Sequence, residues 1–145
     1  MIELGPEKLT IFIESKNGSI NSYPVMEKWE EPYMNKFAQI VCSTINSNDG
    51  INGCKILEIG YGMGISAKYI DKYISEKDFI GDKHEHIIIE CNEELFDNSL
   101  LYANSHKNII KHNIIPIYGF YENITKNFEK ESFDGILFDA ILLKR

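Results

Sequence analysis

The sequence lacks the long apolar run that a membrane-spanning helix needs. Of its 145 residues, 43% are hydrophobic, but the longest apolar stretches, such as Ile87–Ile89 and Ile141–Leu143, fall far short of the roughly 20 residues that cross a bilayer. The first residues also lack the basic and then apolar pattern of a secretory signal. We therefore expect residues 1–145 to form a single cytoplasmic domain without a membrane partner.

Basic residues are also scarce. Lys and Arg total 15 against 22 Asp and Glu, which gives a net charge of -7, and they form no long run along the chain. Such a chain would repel a phosphate backbone. We therefore expect no nucleic-acid partner.

Cysteine is sparse as well, and its spacing excludes two common structural uses. Cys42, Cys54 and Cys91 form no CxxC motif, and an odd number of distant thiols suits neither a disulfide framework nor a zinc site. We expect them to be reduced, buried, small apolar side chains. The segment His84-Glu85-His86 contains metal-binding residue types, but adjacent residues of a strand point to opposite faces, so no metal site is predicted.

The first 25 residues predict a β-hairpin. Leu9–Ile13 is apolar and rich in β-branched residues, and a second such segment begins at Ile20. Asn17-Gly18 lies between them, and Asn-Gly is a strong signal for the turn of a hairpin. Residues 1–25 are therefore expected to form a hairpin or lid that precedes the main body of the chain.

An amphipathic helix is predicted to follow the hairpin. From Glu27 to Val41 the apolar residues recur at three- and four-residue spacing, which is typical of one helix face. Pro32 falls early in this stretch and indicates an irregular start. Ser47–Gly50 and Asn52-Gly53 are rich in turn-forming residues and predict a loop after the helix.

Residues 55–139 predict a parallel α/β sheet with Rossmann-like winding. Strands that alternate with helices form parallel sheets with right-handed crossovers. Pro116 cannot donate a backbone hydrogen bond, so its strand should lie at the sheet edge. Asn92, followed by Glu93 and Glu94, marks the start of a helix. The four strand-like segments are Lys55–Ile59, His86–Glu90, Asn113–Tyr118 and Phe133–Asp139.

A turn with three glycines follows the first of these strands. The segment Glu58-Ile59-Gly60-Tyr61-Gly62-Met63-Gly64 places glycine where the backbone must turn sharply and approach a ligand. A dinucleotide fingerprint would need its third glycine at position 65 and an acid about 20 residues beyond the first. Ile65 stands at that position, and the acid Glu90 comes later than the fingerprint requires. Glu90 ends the next strand, where a carboxylate can accept both hydroxyls of a ribose, so adenosine is favoured.

The wider pattern resembles the class I methyltransferases, because acids end the strands at Glu90 and Asp139. Other segments are similar to guanidinoacetate N-methyltransferase, above all Pro24–Met34 (PVMEKWEEPYM), over about residues 24–139. The resemblance continues in Ile56–Met63, Ile88–Asn92 and Phe133–Asp139. It implies S-adenosylmethionine as the cofactor and a small guanidino substrate, first of all guanidinoacetate, which would be converted to creatine.

The resemblance also implies which residues form the site. Glu30 and Asp139 would hold the guanidino group, with Asp139 as the base. A guanidinium is a planar cation and a poor nucleophile, so carboxylates must orient it and accept a proton. No metal is required. The residues implied around the cofactor are Met26, Met34, Tyr61, Gly62, Met63, Gly64, Ile65, Ser66, Glu90, Cys91, Asn92, Tyr121 and Asp139.

Structural roles compete with several of these assignments. Met26, Met34 and Trp29 could be core residues on a helix face, Glu30 could be a solvated helix acid, and Asp139 could be a strand-end cap. A second enzymatic hypothesis is methylation of arginine, because related enzymes also hold a guanidinium between carboxylates.

The short segment after the fourth strand raises a further expectation. Only Ala140–Arg145 follow it, whereas the fold of the family continues, and Ala140 and Ile141 replace a threonine and an aromatic residue of the family. We expect a fold truncated after the fourth strand, with impaired activity and an exposed sheet edge. That edge could support a homodimer or a complementing chain, so the third hypothesis is a non-catalytic assembly module.

Overall fold

The computed structural model describes residues 2–43, 53–76 and 84–138, which form two sheets and their helices. One sheet is antiparallel with three strands, and the other is parallel with four. The strands are β1 (Ile2–Leu4), β2 (Lys8–Glu14), β3 (Ile20–Glu27), β4 (Lys55–Ile59), β5 (Glu85–Glu90), β6 (Asn113–Tyr118) and β7 (Gly135–Phe138). The α-helices are α1 (Glu31–Cys42), α2 (Ile65–Glu76), α3 (Glu93–His106) and α4 (Tyr121–Ile124), and Lys28–Glu30 and Thr125–Asn127 form 3-10 turns.

The N-terminal hairpin is confirmed. Strands β2 and β3 pair antiparallel, and the Ser15 backbone N–H donates to the Ser19 carbonyl at 2.8 Å across the turn. Gly18 has a φ of +83° there, a conformation that costs glycine little. A third strand, β1, pairs with β2 and was not predicted from the sequence.

The predicted helix with an irregular start is also confirmed. The 3-10 turn Lys28–Glu30 leads into α1, and Pro32 lies in the first turn of α1, where its missing N–H leaves no helical bond unmade. Helix α1 packs on α2, and the Tyr69 hydroxyl of α2 donates to Glu31 Oε1 at 2.8 Å.

The parallel sheet confirms the expected α/β fold. Its strand order is β6-β5-β4-β7, and β4 and β5 are largely buried because helices and loops cover both faces. Pro116 lies in β6 opposite Ile88, and β6 is an edge of the described sheet as predicted. Strand β7 begins at Gly135 rather than Phe133, and Asp139 lies outside the described residues.

Alternation along the central strands separates two cores. Residues Leu57, Ile59, Ile87 and Ile89 pack on one face against α4 and its neighbours. On the other face, Ile56 packs with residues of α1 and α2. Because side chains alternate along a strand, Glu58 and His86 share the face of Ile56. Because of this strand register, the polar side chains of Glu58 and His86 lie in a buried layer beneath α2.

The expectation for the cysteines is correct for two of the three. Cys42, the last residue of α1, and Cys54 are buried in the core cluster that contains Ile56, but Cys91 is exposed. Cys91 directly follows the last residue of β5, so it leaves the covered part of the sheet. In the three described ranges, no helix has the length and apolar character to cross a membrane.

A glycine allows α1 to lie close to β7. A Cβ atom built on Gly135 would stand 2.4 Å from the Val41 carbonyl oxygen and 2.7 Å from Val41 Cγ1. Real Cβ atoms do not approach a backbone oxygen this closely, so any larger residue must push α1 away from the sheet. Close packing of this kind leaves little room for relaxation.

We predict that Gly135→Ala destabilises the chain by about 1–3 kcal/mol, because the added methyl group overpacks the contact between α1 and β7. Urea denaturation at equilibrium measures this change in the free energy of unfolding. Gly5→Ala is the matched control, because the nearest atom to its added Cβ is the Lys8 carbonyl oxygen at 3.4 Å. Equal effects of the two substitutions would contradict the packing argument.

Candidate functional site

The three glycines after β4 form a sharp turn into α2. Gly60, Gly62 and Gly64 have φ values of +93°, +57° and +79°, which L-residues with a side chain rarely adopt. At Gly64 space is limiting as well, since a Cβ atom would lie 2.5 Å from the Tyr61 hydroxyl oxygen. Backbone conformation thus favours glycine at all three positions, and at Gly64 the lack of space is a second, independent reason. The turn presents main-chain groups at the carboxyl edge of the sheet.

Glu90 ends β5 beside this turn and is bound to it through main-chain groups. Its Oε1 accepts from the Tyr61 N–H at 2.9 Å and from the Gly62 N–H at 3.4 Å. Its Oε2 accepts from the Asn92 N–H at 3.0 Å. Each carboxylate oxygen has two acceptor positions, so Oε2 retains capacity for a ligand hydroxyl. Glu90 is 6% exposed and is thus held in one place at the strand end.

The start of α3 adjoins Glu90. Asn92 caps the helix as predicted, and its Oδ1 accepts from the Leu95 N–H at 3.1 Å. Cys91 lies between the carboxylate and the cap. Partial burial, followed by the nearby Glu90 carboxylate, raises the pKa of the Cys91 thiol, so it stays protonated near neutral pH. Cys91 therefore offers a neutral surface beside Glu90 rather than a thiolate nucleophile.

The N-terminal sheet packs directly on the glycine turn. Leu9 of β2 is 1% exposed and shares a cluster with Leu95 of α3. Met63 and Ile65, on either side of Gly64, pack against the same cluster. The region expected to act as a lid is therefore joined to the turn through apolar contacts.

Two residues of the turn point their side chains into the protein. The Tyr61 ring is buried 6.0 Å from the ring of Tyr102, and its cluster includes Ala67. The Ser66 hydroxyl donates to Glu58 Oε2 and is fully buried. Tyr61 and Ser66 can therefore serve a ligand through their main chain, while their side chains support the turn from below.

Tyr121 lies near the end of β7. Its ring makes an edge contact with Phe138 at a centroid distance of 4.9 Å and packs on the face that holds Leu57. Phe138 immediately precedes Asp139 in the sequence. The side chain predicted at the cofactor and the strand end predicted at the substrate thus belong to one region of the sheet edge.

The remaining predicted residues belong to the N-terminal part of the described chain or lie outside the described residues. Met34 is buried within α1, and Glu30 is a half-buried residue at the end of the 3-10 turn before α1. The backbone of Met26 pairs with Leu9, but its side chain lies outside what the structure describes. Asp139 also lies outside the described residues, so its role as a base stays a prediction. Trp29, considered as a core residue, is 63% exposed instead.

A buried set of charged side chains lies beneath the turn, and it was not predicted from the sequence. His86 Nε2 is 2.9 Å from Glu58 Oε1, and His86 Nδ1 is 2.8 Å from Asp71 Oδ1. All three side chains are 0–1% exposed. An ion pair this deep is costly to bury unless each partner is fully hydrogen-bonded.

Further side chains complete the bonding of Asp71. His112 Nε2 lies 2.6 Å from Asp71 Oδ1, and the Tyr102 hydroxyl donates to Asp71 Oδ2. Burial by itself raises the pKa of Asp71, but the charge of His86 and the bonds from His112, His86 and Tyr102 outweigh it and hold the pKa well below its usual value. Asp71 is therefore ionised at neutral pH.

The opposite holds for His86. Burial alone would lower its pKa, but the charge of Asp71 and hydrogen bonds to Asp71 and Glu58 raise it far above its ordinary value of 6.5. Tyr61 lies above the same carboxylates, and burial followed by the charges of Glu58 and Asp71 raises its pKa to about 12. The layer beneath the turn therefore holds a cationic His86 between carboxylates at neutral pH.

A sequence signal for this layer did exist. His86 stands in a strand whose neighbours Ile87–Ile89 mark it as central and covered on both faces, so a polar residue there had to be buried. Asp71 lies three residues before Ile74 and four after Ala67, on the apolar face of α2. Within the described ranges, these and other acids, histidines and cysteines form no group that could hold a metal ion.

A sequence model of a known family matches most of the chain. The family is described as guanidinoacetate N-methyltransferase, and its model matches residues 14–145. This range contains the glycine turn, Glu90 and the whole buried charge layer.

Solved structures match the fold at low sequence identity. Spermidine synthase from Thermotoga maritima is 15% identical with a TM-score of 0.55, and the match covers 97% of this chain and 47% of that one. MNMC2 from Aquifex aeolicus is 15% identical with a TM-score of 0.55, and the match covers 93% of this chain and 50% of that one. The SAH-bound Podospora anserina methyltransferase PaMTH1 is 23% identical with a TM-score of 0.51, and the match covers 79% of this chain and 42% of that one. The chain thus spans half or less of the length of these structures, which share its fold.

We predict that the free energy of unfolding falls as pH rises from about 7 to 8.5. In this window His86 keeps its proton in the folded chain, whereas the unfolded chain has lost it. The stability from His86 is complete below its ordinary pKa of 6.5 and is lost as pH rises toward the raised folded value. One such proton gives a slope near -1.4 kcal/mol per pH unit.

Urea denaturation over a pH series measures this slope. His86→Gln should flatten it, whereas the exposed control Glu94→Gln should leave it unchanged. A wild-type stability that is constant or rises over this window would show that His86 is neutral in the folded chain.

Proposed function

The chain belongs to the guanidinoacetate N-methyltransferase family, and we propose that its glycine turn and Glu90 bind S-adenosylmethionine. The single observation that carries the proposal is the position of Glu90, which the Tyr61 and Gly62 N–H groups hold at the carboxyl edge of the sheet. Ligands of open α/β sheets bind outside the carboxyl ends of the strands. A ribose there can donate a hydroxyl to the acceptor capacity that Glu90 Oε2 retains.

The surroundings of Glu90 suit an adenosine rather than a pyrophosphate. The exposed Cys91 is neutral and lies next to Glu90, so it can border a purine ring. A pyrophosphate would need N–H groups of the glycine turn, but those of Tyr61 and Gly62 already donate to Glu90 Oε1, which disfavours a dinucleotide. PaMTH1, which shares the fold, is a methyltransferase with SAH bound. These points support a nucleoside cofactor with a positively charged sulfonium.

The finer proposal is transfer of a methyl group to the nitrogen of guanidinoacetate, which forms creatine, in the cytoplasm. Bound S-adenosylmethionine would supply the electrophilic methyl group. Glu30 and Asp139 would orient the guanidinium through paired hydrogen bonds, and Asp139 would accept the proton that the attacking nitrogen loses. Glu30 lies immediately before α1, and Asp139 follows the strand end that Tyr121 contacts.

We predict that Glu90→Gln weakens S-adenosylmethionine binding at least about tenfold, or about 1.4 kcal/mol. The amide keeps the size of the carboxylate but loses its charge and one of its acceptor oxygens, which a ribose hydroxyl needs. Isothermal titration calorimetry of the whole chain measures the dissociation constant, and circular dichroism checks that the variant is folded.

The matched control is Glu94→Gln. Glu94 is an exposed acid in the first turn of α3, close in sequence to Glu90 but outside the bonds to the glycine turn. The Glu94→Gln variant should bind S-adenosylmethionine with the same dissociation constant as the wild type. A folded wild-type chain that releases no saturable heat with S-adenosylmethionine would refute the cofactor proposal.

The substrate is tested separately. With S-adenosylmethionine present, guanidinoacetate should yield creatine and S-adenosylhomocysteine in equal amounts, detected by mass spectrometry, and Asp139→Asn should abolish the yield because it removes the proposed base. Free arginine is the alternative substrate, since it presents the same guanidinium. Methylated arginine without creatine would favour that alternative and overturn guanidinoacetate as the substrate.

The exposed side of β7 favours a second candidate function, assembly with another chain. Ile136 and Phe138 are 56% and 47% exposed, and β7 is an edge of the described sheet. Unpaired strand edges with apolar side chains are sites of pairing. A homodimer or a complementing chain could cover this edge. Self-association that depends on concentration, in a chain without affinity for S-adenosylmethionine, would support the assembly function over the enzymatic one.

A further inference from the structure

The buried charge layer links the two ends of the glycine turn. Glu58 lies in β4, two residues before the first glycine, and Ser66 lies in the first turn of α2, just beyond the last glycine. The Ser66 hydroxyl donates to Glu58 Oε2, so one hydrogen bond spans the turn from below. The other oxygen of Glu58 bonds His86. The strand end and the helix start are thus fixed to each other through side chains.

His86 extends this link along α2. Its two ring nitrogens face Glu58 Oε1 and Asp71 Oδ1. An ionised carboxylate only accepts hydrogen bonds, so both ring nitrogens must donate, and only the imidazolium carries a proton on each. A single cation therefore bridges β4 and α2 while it belongs to β5. Three elements meet at one side chain.

The described titratable groups around His86 come from several elements of the fold. Glu58 faces it from β4 and Asp71 from α2, while His112 before β6 and Tyr102 of α3 reach it through Asp71. Tyr61 lies above, within the field of the two carboxylates. Breaking a buried pair by removing one partner leaves an uncompensated charge, so each of these groups depends on His86 remaining in place.

We propose that His86 is a positioning residue: through Glu58 and Ser66 below the turn, and through Asp71 in α2, it holds the glycine turn in the shape that binds the cofactor. His86 itself touches no ligand. Its effect passes through Glu58 to the backbone from Gly60 to Gly64. A turn held in this shape in advance loses less conformational entropy when a ligand binds, which increases affinity. The effect of His86 on cofactor affinity rests on the proposed cofactor site. Its effect on the shape of the glycine turn does not.

Hydrogen exchange of the ligand-free chain tests the hold on the turn. In His86→Gln and in Ser66→Ala, the amides of Gly62 and Gly64 should exchange at least about tenfold faster than in the wild type, while those of β5 remain protected. Ser66→Ala removes only the bond to Glu58 and leaves every buried charge in place, so it decides the question if His86→Gln does not fold.

Ser99→Ala is the matched control. Ser99 is a fully buried serine of α3 whose hydroxyl donates to the Phe96 carbonyl, outside the charge layer. It should leave exchange at the turn unchanged. If Ser66→Ala behaves as Ser99→Ala does, the proposal is wrong. Uniformly faster exchange, in β5 as much as in the turn, would also overturn it, because His86 would then serve global stability alone.

Calorimetry with S-adenosylmethionine separates this proposal from the one on which it rests. If the wild type binds S-adenosylmethionine, Ser66→Ala should bind it about tenfold more weakly. Ser99→Ala should bind it with the same affinity as the wild type. If the wild type does not bind, the cofactor proposal fails, yet faster exchange confined to the turn in both His86→Gln and Ser66→Ala still supports the role of His86 in shaping it.

Discussion

A buried cation between two carboxylates is the constraint on which the cofactor end of the sheet depends. Charges placed in a protein interior are tolerated only when each finds its partner and its hydrogen bonds. His86 meets this condition for Glu58 and Asp71 together. Because the partners come from β4, β5 and α2, the electrostatic requirement is also a geometric one. It sets the distance between the central strands and the helix that follows the glycine turn.

The glycine turn and Glu90 lie on top of this layer. Positive φ values at the glycines expose main-chain N–H groups, and two of these groups hold the carboxylate of Glu90. The region is thus built in two levels, with buried charges below that join the elements and an acidic strand end above, at the carboxyl edge of the sheet. The apolar contact of Leu9 with Leu95 adds the N-terminal sheet at the side.

The site combines residues whose roles differ in how easily a sequence shows them. Glycine spacing and an acid at a strand end are local patterns, so the turn and Glu90 were predictable. The cap by Asn92 was predictable for the same reason. The contacts of Asp71 with His86 and His112 join residues distant in the sequence, and only the register of parallel strands brings them together. Local patterns could indicate that His86 and Asp71 are buried, but they could not indicate that the two side chains pair with each other.

The sequence by itself determined the parallel α/β class, the hairpin, the edge position of the strand with Pro116 and the family of the chain, because periodicity, turn residues and short motifs are local properties. Tertiary structure alone decided that β1 joins the hairpin, that Cys91 is exposed, and that the side chains of Tyr61 and Ser66 face inward. It also placed His86 between two carboxylates, which raise the pKa of its imidazole. These outcomes depend on which face of each strand is covered and on which residues, distant in the sequence, lie on that face. Tertiary packing decides both.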